Sequence, residues 1–365
     1  MKRILIVFCL AAVLSSPMAS AQDAPSGGVL SLIPKLEGGV LYDTEGETAS
    51  PGFGNTSFYT LFEGDISPRW SFSLCNHWAA VDPWGADFSA FAATADLYHF
   101  NVPRKGANNA ANFLDWAYVT YASGPFRFTA GKQGVYAGGF ESDDYDFDVN
   151  PFLASTFWGS YTCYQWGVTA ECLLTGSTTL GVQLTTSPLN DGVCLGLGWT
   201  GEYGPYSMKW SILTYDERMQ ELSSWSAVLS LGNRLTLGPL TLTVDWMNRC
   251  GDPFFLGEGF RCSYPAVRGN TVVGSALYTH GSGKWDLGAK AAWNGVSRRS
   301  PYGQEDLSAP QTLSAGVWGS WYPLRDSQNL RVQAAAGLTE YTLEGRTGYL
   351  FATLGVTWNF EITLW

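Results

Sequence analysis

The chain has 365 residues, of which 45% are hydrophobic, 15% aromatic and only 15% charged, with 42 glycines and 16 tryptophans. That many aromatics exclude a disordered chain, and beyond the first fourteen residues no apolar run approaches the ~18 that a membrane helix needs. With 21 basic and 32 acidic residues the net charge is −11, the wrong sign for a nucleic-acid partner.

The N-terminus reads as an export signal. Met1-Lys2-Arg3 is a short cationic start, Ile4 to Leu14 is apolar, and Ala19-Ser20-Ala21 fits a small-x-small cleavage site. Cleavage after Ala21 is expected. Residues 22–34 are then a periplasmic lead-in and 35–365 the folded body. Cys9 lies inside the apolar run, which argues against lipoprotein processing.

The body carries a period of two. After a strand over Phe126 to Gln133, Leu180, Val182 and Leu184 alternate with Gly181, Gln183 and Thr185. Leu240, Leu242, Val244 and Trp246 alternate with Thr241, Thr243 and Asp245. Trp285, Leu287, Ala289, Ala291 and Trp293 alternate with Asp286, Gly288 and Lys290. Leu313, Ala315, Val317 and Trp321 share a face, as do Leu330, Val332, Ala334, Ala336 and Leu338. From Leu350 to Leu364 the alternation is strict. Strands of soluble proteins average about 5–6 residues, whereas a membrane-crossing strand needs about 9–11. Each segment offers one face suited to lipid and one that is polar or small, with Trp and Tyr towards the ends. The fold predicted is an all-β, antiparallel transmembrane barrel, which must close because lipid pairs no backbone groups.

Tight connections are expected at 66–68, 123–125, 175–177, 203–205, 237–239, 281–283 and 325–327, three of them Gly-Pro. Longer ones fall at 44–54, 81–112, 134–155, 188–192, 216–223, 250–268, 295–310 and 340–346. Seven turns and eight loops join sixteen strands, an even number that leaves both termini on the periplasmic side. The strand-like stretch Phe88 to His99 keeps an eighteen-strand alternative open.

Export permits disulfides, and Cys250 with Cys262 is the candidate pair, flanking a loop-like segment. No CxxC is present, and His77, His99 and His280 are the only histidines, so neither a metal nor a cofactor is expected. The same scarcity of bases argues against a barrel enzyme.

A sixteen-strand barrel is wide enough for an aqueous channel, and a channel needs a constriction to discriminate. Loop 134–155 places five carboxylates within eight residues: Glu141, Asp143, Asp144, Asp146 and Asp148. Read one way they are a solvated surface loop. The spacing of Asp144, Asp146 and Asp148 matches an EF-hand only in part, lacking its glycine and distal glutamate. Read the other way the loop folds into the lumen and favours cations. On the polar faces Arg127, Lys209, Lys290 and Arg331 balance Glu171, Asp245, Asp286 and Glu361, so the walls give no preference and the loop decides.

Asn112-Phe113-Leu114-Asp115-Trp116-Ala117-Tyr118-Val119-Thr120-Tyr121, followed by Gly131-Lys132-Gln133 and Gly138-Gly139-Phe140-Glu141, resembles the phosphate-selective porin O and P family. The resemblance covers about thirty residues. It implies a sixteen-stranded, trimeric outer-membrane channel narrowed by its third loop. The family's rows of arginines and lysines are missing, and the loop here is acidic, so phosphate selectivity does not carry over. The C-terminus ends in Trp365, one residue out of phase with the apolar face of Ile362 and Leu364. The expectation is a passive, weakly cation-preferring porin. Its partners are outer-membrane lipid, small hydrophilic solutes or ions, and two further copies of itself. An anion-selective porin and a closed adhesin-like or structural barrel are the alternatives.

Overall fold

The computed structural model describes residues 27–364 apart from 53–55, 82–113, 144–150, 156, 158–163, 187–192, 217–224, 252–253, 256–262, 265, 300–306, 309–310 and 325–326. Sixteen long strands follow in chain order: β1 (Gly28–Asp43), β2 (Thr56–Ser67), β3 (Trp70–Val81), β4 (Leu114–Ser123), β5 (Phe126–Gly134), β6 (Tyr164–Thr175), β7 (Thr178–Thr186), β8 (Val193–Tyr203), β9 (Tyr206–Asp216), β10 (Trp225–Leu237), β11 (Leu240–Gly251), β12 (Ala266–Thr279), β13 (Trp285–Arg299), β14 (Thr312–Trp321), β15 (Leu330–Thr342) and β16 (Tyr349–Trp358). Each pairs antiparallel with the next, and β16 returns to β1 in the register Lys35↔Thr357 to Asp43↔Tyr349. Closure leaves no open edge, which is the condition for a sheet in lipid. Short pieces add to the ring: Thr48–Gly52 pairs with β1, Leu307–Ser308 with β13, and Phe360–Thr363 continues past β16 along β1.

The sixteen-strand expectation holds. β3 pairs directly with β4 from Trp70↔Tyr121 to Asn76↔Leu114, so no strand is inserted between them and the eighteen-strand alternative falls. Phe88 to His99 lies outside the described residues. The body also begins earlier than expected. β1 is paired from Gly28 onward, so residues 28–34 belong to the barrel and not to a lead-in. The proposed leader, residues 1–21, lies outside the described residues.

Lengths run from 9 residues in β5 to 16 in β1, matching a tilted crossing of the bilayer. The faces are those the alternation predicted. On β16, Leu354 is 62% exposed on the outside while Phe351 is 4% exposed within. Exposed Leu, Val and Ile side chains encircle the outer surface, as lipid requires. Aromatics gather at the short-turn end, where Trp70 meets Tyr121 at 4.8 Å between ring centroids and Trp285 stacks on Trp321 at 5.9 Å. The Gly-Pro turns work as the sequence suggested. Gly124, Gly204 and Gly238 take φ of +56°, +62° and +58°, and proline fixes the next residue, the pairing a two-residue hairpin of the II′ kind needs.

Candidate functional site

The chain leaving β5 turns inward and follows the inside wall. Tyr136 comes first. Its ring lies against three glycines of β7 and β8. A Cβ added at Gly181 would sit 2.1 Å from the Tyr136 hydroxyl oxygen, and one at Gly196 or Gly198 would come within 3.1 Å of the side chain. Its hydroxyl donates to Glu171 Oε1 at 2.9 Å, and its backbone N–H donates to Gln183 Oε1 at 2.9 Å. Gln183 Nε2 in turn donates to the Gly134 carbonyl at 2.7 Å, fastening the root of the loop to β7. Burial, and then the adjacent Glu171 carboxylate, raise the Tyr136 hydroxyl well above its ordinary value, so it stays protonated and remains a donor.

The Gly138-Gly139-Phe140-Glu141 run now has a physical reading. Gly138 adopts φ +80° and donates its N–H to Ser230 Oγ at 2.8 Å. Gly139 lies with its backbone against β10 and β11, where any Cβ would fall 2.4 Å from the Asp245 carboxylate. Gly232 on β10 clears space for it from the other side, since a Cβ there would be 2.9 Å from the Gly139 Cα. Phe140 to Asp143 form one 3-10 turn. Asp245 caps that turn, accepting the Glu141 N–H at 2.6 Å. The Arg234 guanidinium lies over the Phe140 ring, 4.1 Å from its centroid, a cation–π contact.

Glu141 is buried and fully engaged. Its carboxylate pairs with Lys290 Nζ at 2.7 Å and accepts the Ser155 N–H at 2.8 Å and the Ser155 hydroxyl at 2.6 Å. Ser155 lies fourteen residues further on, so this contact ties the neck of the loop. Asp143 pairs with Lys209, whose ammonium also donates to Ser142 Oγ at 3.2 Å.

Apolar contacts complete the attachment. Val135, Ala137 and Phe157 pack on Cys194, Leu213, Val228, Met247, Val273 and Ala292, an apolar band on the inner wall from β8 to β13. Phe152 stacks on Phe351 of β16 at 5.0 Å, and Leu153 joins it against Ala335 of β15. Each such side chain contributes roughly 1.5–3 kcal/mol when withdrawn from water. The loop therefore lines the barrel interior from β5 round to β16.

The predicted site residues divide accordingly. Glu141 and Asp143 are inside the barrel, and both are matched by wall lysines. Asp144, Asp146 and Asp148 lie outside the described residues. Of the wall charges, Lys209, Lys290 and Asp245 hold the 3-10 turn, and Glu171 holds Tyr136. Arg127 sits 3.6 Å from Glu171, largely exposed. The other three predicted wall charges lie on later elements. Asp286 accepts the Tyr322 hydroxyl at 2.8 Å, Arg331 belongs to β15, and Glu361 accepts from Asn359 Nδ2 at 3.0 Å in an exposed terminal stretch. Cys250 is the last residue but one of β11 and Cys262 lies outside the described residues, as does any bond between them. The sequence reading missed Tyr136, Gln183, Ser230, Arg234 and Ser155. Their alternation marks the wall residues as inward, but nothing local names the partner.

No protein-family model matches the chain, and no curated protein matches it. Solved structures do. Salmonella typhi OmpF, in complex with daunomycin, is 13% identical with a TM-score of 0.59, covering 91% of this chain and 97% of that one. The fold is porin-like. The anion-selective porin from Comamonas acidovorans is 11% identical at TM-score 0.57, covering 91% and 100% of the two chains. The outer membrane protein OmpT of Vibrio cholerae, in its trimer form, is 11% identical at TM-score 0.54, covering 91% and 99%. At these identities what is shared is the fold.

Proposed function

We propose that this chain is a non-enzymatic outer-membrane porin, a water-filled channel for passive diffusion of small hydrophilic solutes or ions. One observation carries the reading: the segment after β5 is fastened to the inner wall of a closed sixteen-strand barrel, where a constricting loop would have to lie. A surface loop with an adhesive role would not bury its charged turn against the inner wall. The preference expected is weakly cationic. The loop carries five acids, but wall lysines compensate Glu141 and Asp143. Closer kinship with phosphate-selective porins rests on residues 112–141, and the acidic loop argues against phosphate preference. An anion-preferring channel is the second reading, favoured by the largely exposed Arg127 on the wall. Assembly as a homotrimer in outer-membrane lipid, after removal of residues 1–21, completes the proposal.

The test is single-channel recording of the purified mature chain in planar bilayers under a salt gradient. Discrete conductance steps with a small cation-side reversal potential are expected. An anion-side potential transfers the weight to the second reading, and a silent bilayer ends the channel reading.

A further inference from the structure

This inference rests on the channel reading. The 3-10 turn inside the barrel carries two acid–lysine pairs of opposite character. Glu141 and Lys290 are buried, with side chains 3% and 8% exposed, and the Glu141 carboxylate is saturated by Ser155. Neither solvent nor a passing ion reaches it. Asp143 and Lys209 are partly open to water, with side chains 48% and 26% exposed. Of the two pairs, this is the one open to solvent.

We propose that Lys209 is a specificity-determining residue of the constriction, cancelling the Asp143 charge and holding down the cation preference. Two opposite charges in contact act on a third as a dipole, whose field falls off faster than that of either alone. At the ~10 Å screening length of 0.1 M salt, only charges close to the ion path count. Asp143 alone is such a charge, and paired with Lys209 it nearly vanishes. The ammonium has a second hold, Ser142 Oγ at 3.2 Å, and Ser142 is itself fixed by donating to the Gly139 carbonyl at 2.7 Å. Lys209 therefore stays at the turn when Asp143 is neutralised, and its charge is then offset only in part, by the buried Asp245 near it. Of the other charged wall groups near the turn, Asp245 caps its N–H groups and also lies close enough to Lys209 to feel its charge, while Arg234 covers Phe140. The two members of the exposed pair thus pull selectivity in opposite directions.

Reversal potentials of the mature chain in planar bilayers, under a tenfold KCl gradient, test this. Lys209→Gln is expected to raise the potassium-to-chloride permeability ratio about three- to fourfold: one unit charge roughly 6 Å from the ion path, at water-like permittivity and a ~10 Å screening length, favours the cation and disfavours the anion by just under twofold each. Asp143→Asn is expected to lower it by a similar factor. Lys209→Arg keeps the charge and is expected to keep the wild-type ratio. A conducting Lys209→Gln channel with the wild-type ratio overturns the inference and leaves the channel reading standing. So does a Lys209→Arg channel that shifts as far as Lys209→Gln, because shape and not charge is then responsible. A silent wild-type bilayer instead removes the channel reading beneath it. If Lys209→Gln fails to assemble, Asp143→Asn alone decides: a lowered ratio supports the pairing, and an unchanged one overturns it.

Discussion

The two faces of β7 are built on different terms. Its outer residues, Leu180, Val182 and Leu184, are all exposed, and nothing in the barrel specifies which apolar side chain stands at each position. Its inner residues are individually committed. Gly181 makes room for the Tyr136 ring, and Gln183 ties both the Gly134 carbonyl and the Tyr136 N–H. Lipid asks only for apolar surface, whereas the loop asks for a particular shape and a particular donor. The difference predicts a steep contrast between substitutions one residue apart on the same strand.

The largest effect is expected on the inner face of β13, where Lys290 neutralises a buried carboxylate. Lys290→Met leaves Glu141 buried without its partner, and removing one member of a buried ion pair costs about 3–5 kcal/mol. The loop is expected to leave the wall, raising single-channel conductance and its noise. Leu287→Met, on the outer face of the same strand, is the control and should match wild type. Equal behaviour of the two variants would show that the inner face is not specified by the loop.

A second test sharpens the comparison on β7 itself. Gly181→Leu places side-chain atoms where the Tyr136 hydroxyl lies, and overpacking of this kind costs typically 1–3 kcal/mol. Expulsion of the ring breaks its bond to Glu171 and frees the loop at its root. Urea unfolding in lipid should show reduced stability, and Tyr136→Ala should reproduce the conductance change. A Gly181→Leu barrel that conducts and unfolds like wild type would mean the glycine socket does not position the loop.

The same contrast decides what the sequence makes legible. The barrel could be read because period two is a property of every strand, repeated sixteen times and reinforced by the Gly-Pro turns. Six of the seven tight connections fall where the turn chemistry places them, and residues 325–326 of the seventh lie outside the described residues. The acidic loop was visible as a cluster, and its entry into the lumen was one of two readings. What could not be read was who meets whom. Lys290 and Glu141 are 149 positions apart in sequence, and Asp245 meets Glu141 across 104. Such pairs depend on how far the loop travels around the wall, which no local pattern encodes. The four-against-four balance of wall charges was correct arithmetic, yet it treated as equivalent charges that the fold puts to different uses, Lys290 and Asp245 as anchors of the 3-10 turn and Arg127 in an exposed pair with Glu171. The glycines are a further case: in the sequence they count only as small residues on the polar face, whereas three of them form a socket for Tyr136.

The smallest effect is expected one residue further along β7. Val182→Leu adds a methylene on the outer face, next to Gly181 in sequence but on the other side of the sheet. Val182 is half exposed and sits among other apolar side chains, so the added group meets lipid and displaces nothing in the barrel. Surface substitutions of this kind stay within about 0.5 kcal/mol. Conductance, reversal potential and unfolding in urea should all match wild type. The comparison becomes quantitative when Val182→Arg is added. Arginine at the bilayer midplane costs about 2–4 kcal/mol, and the outer face should therefore reject a charge while accepting any apolar shape. If Val182→Leu instead changed conductance, the outer face of β7 would be coupled to the loop through the strand, and the independence of the two faces would be lost.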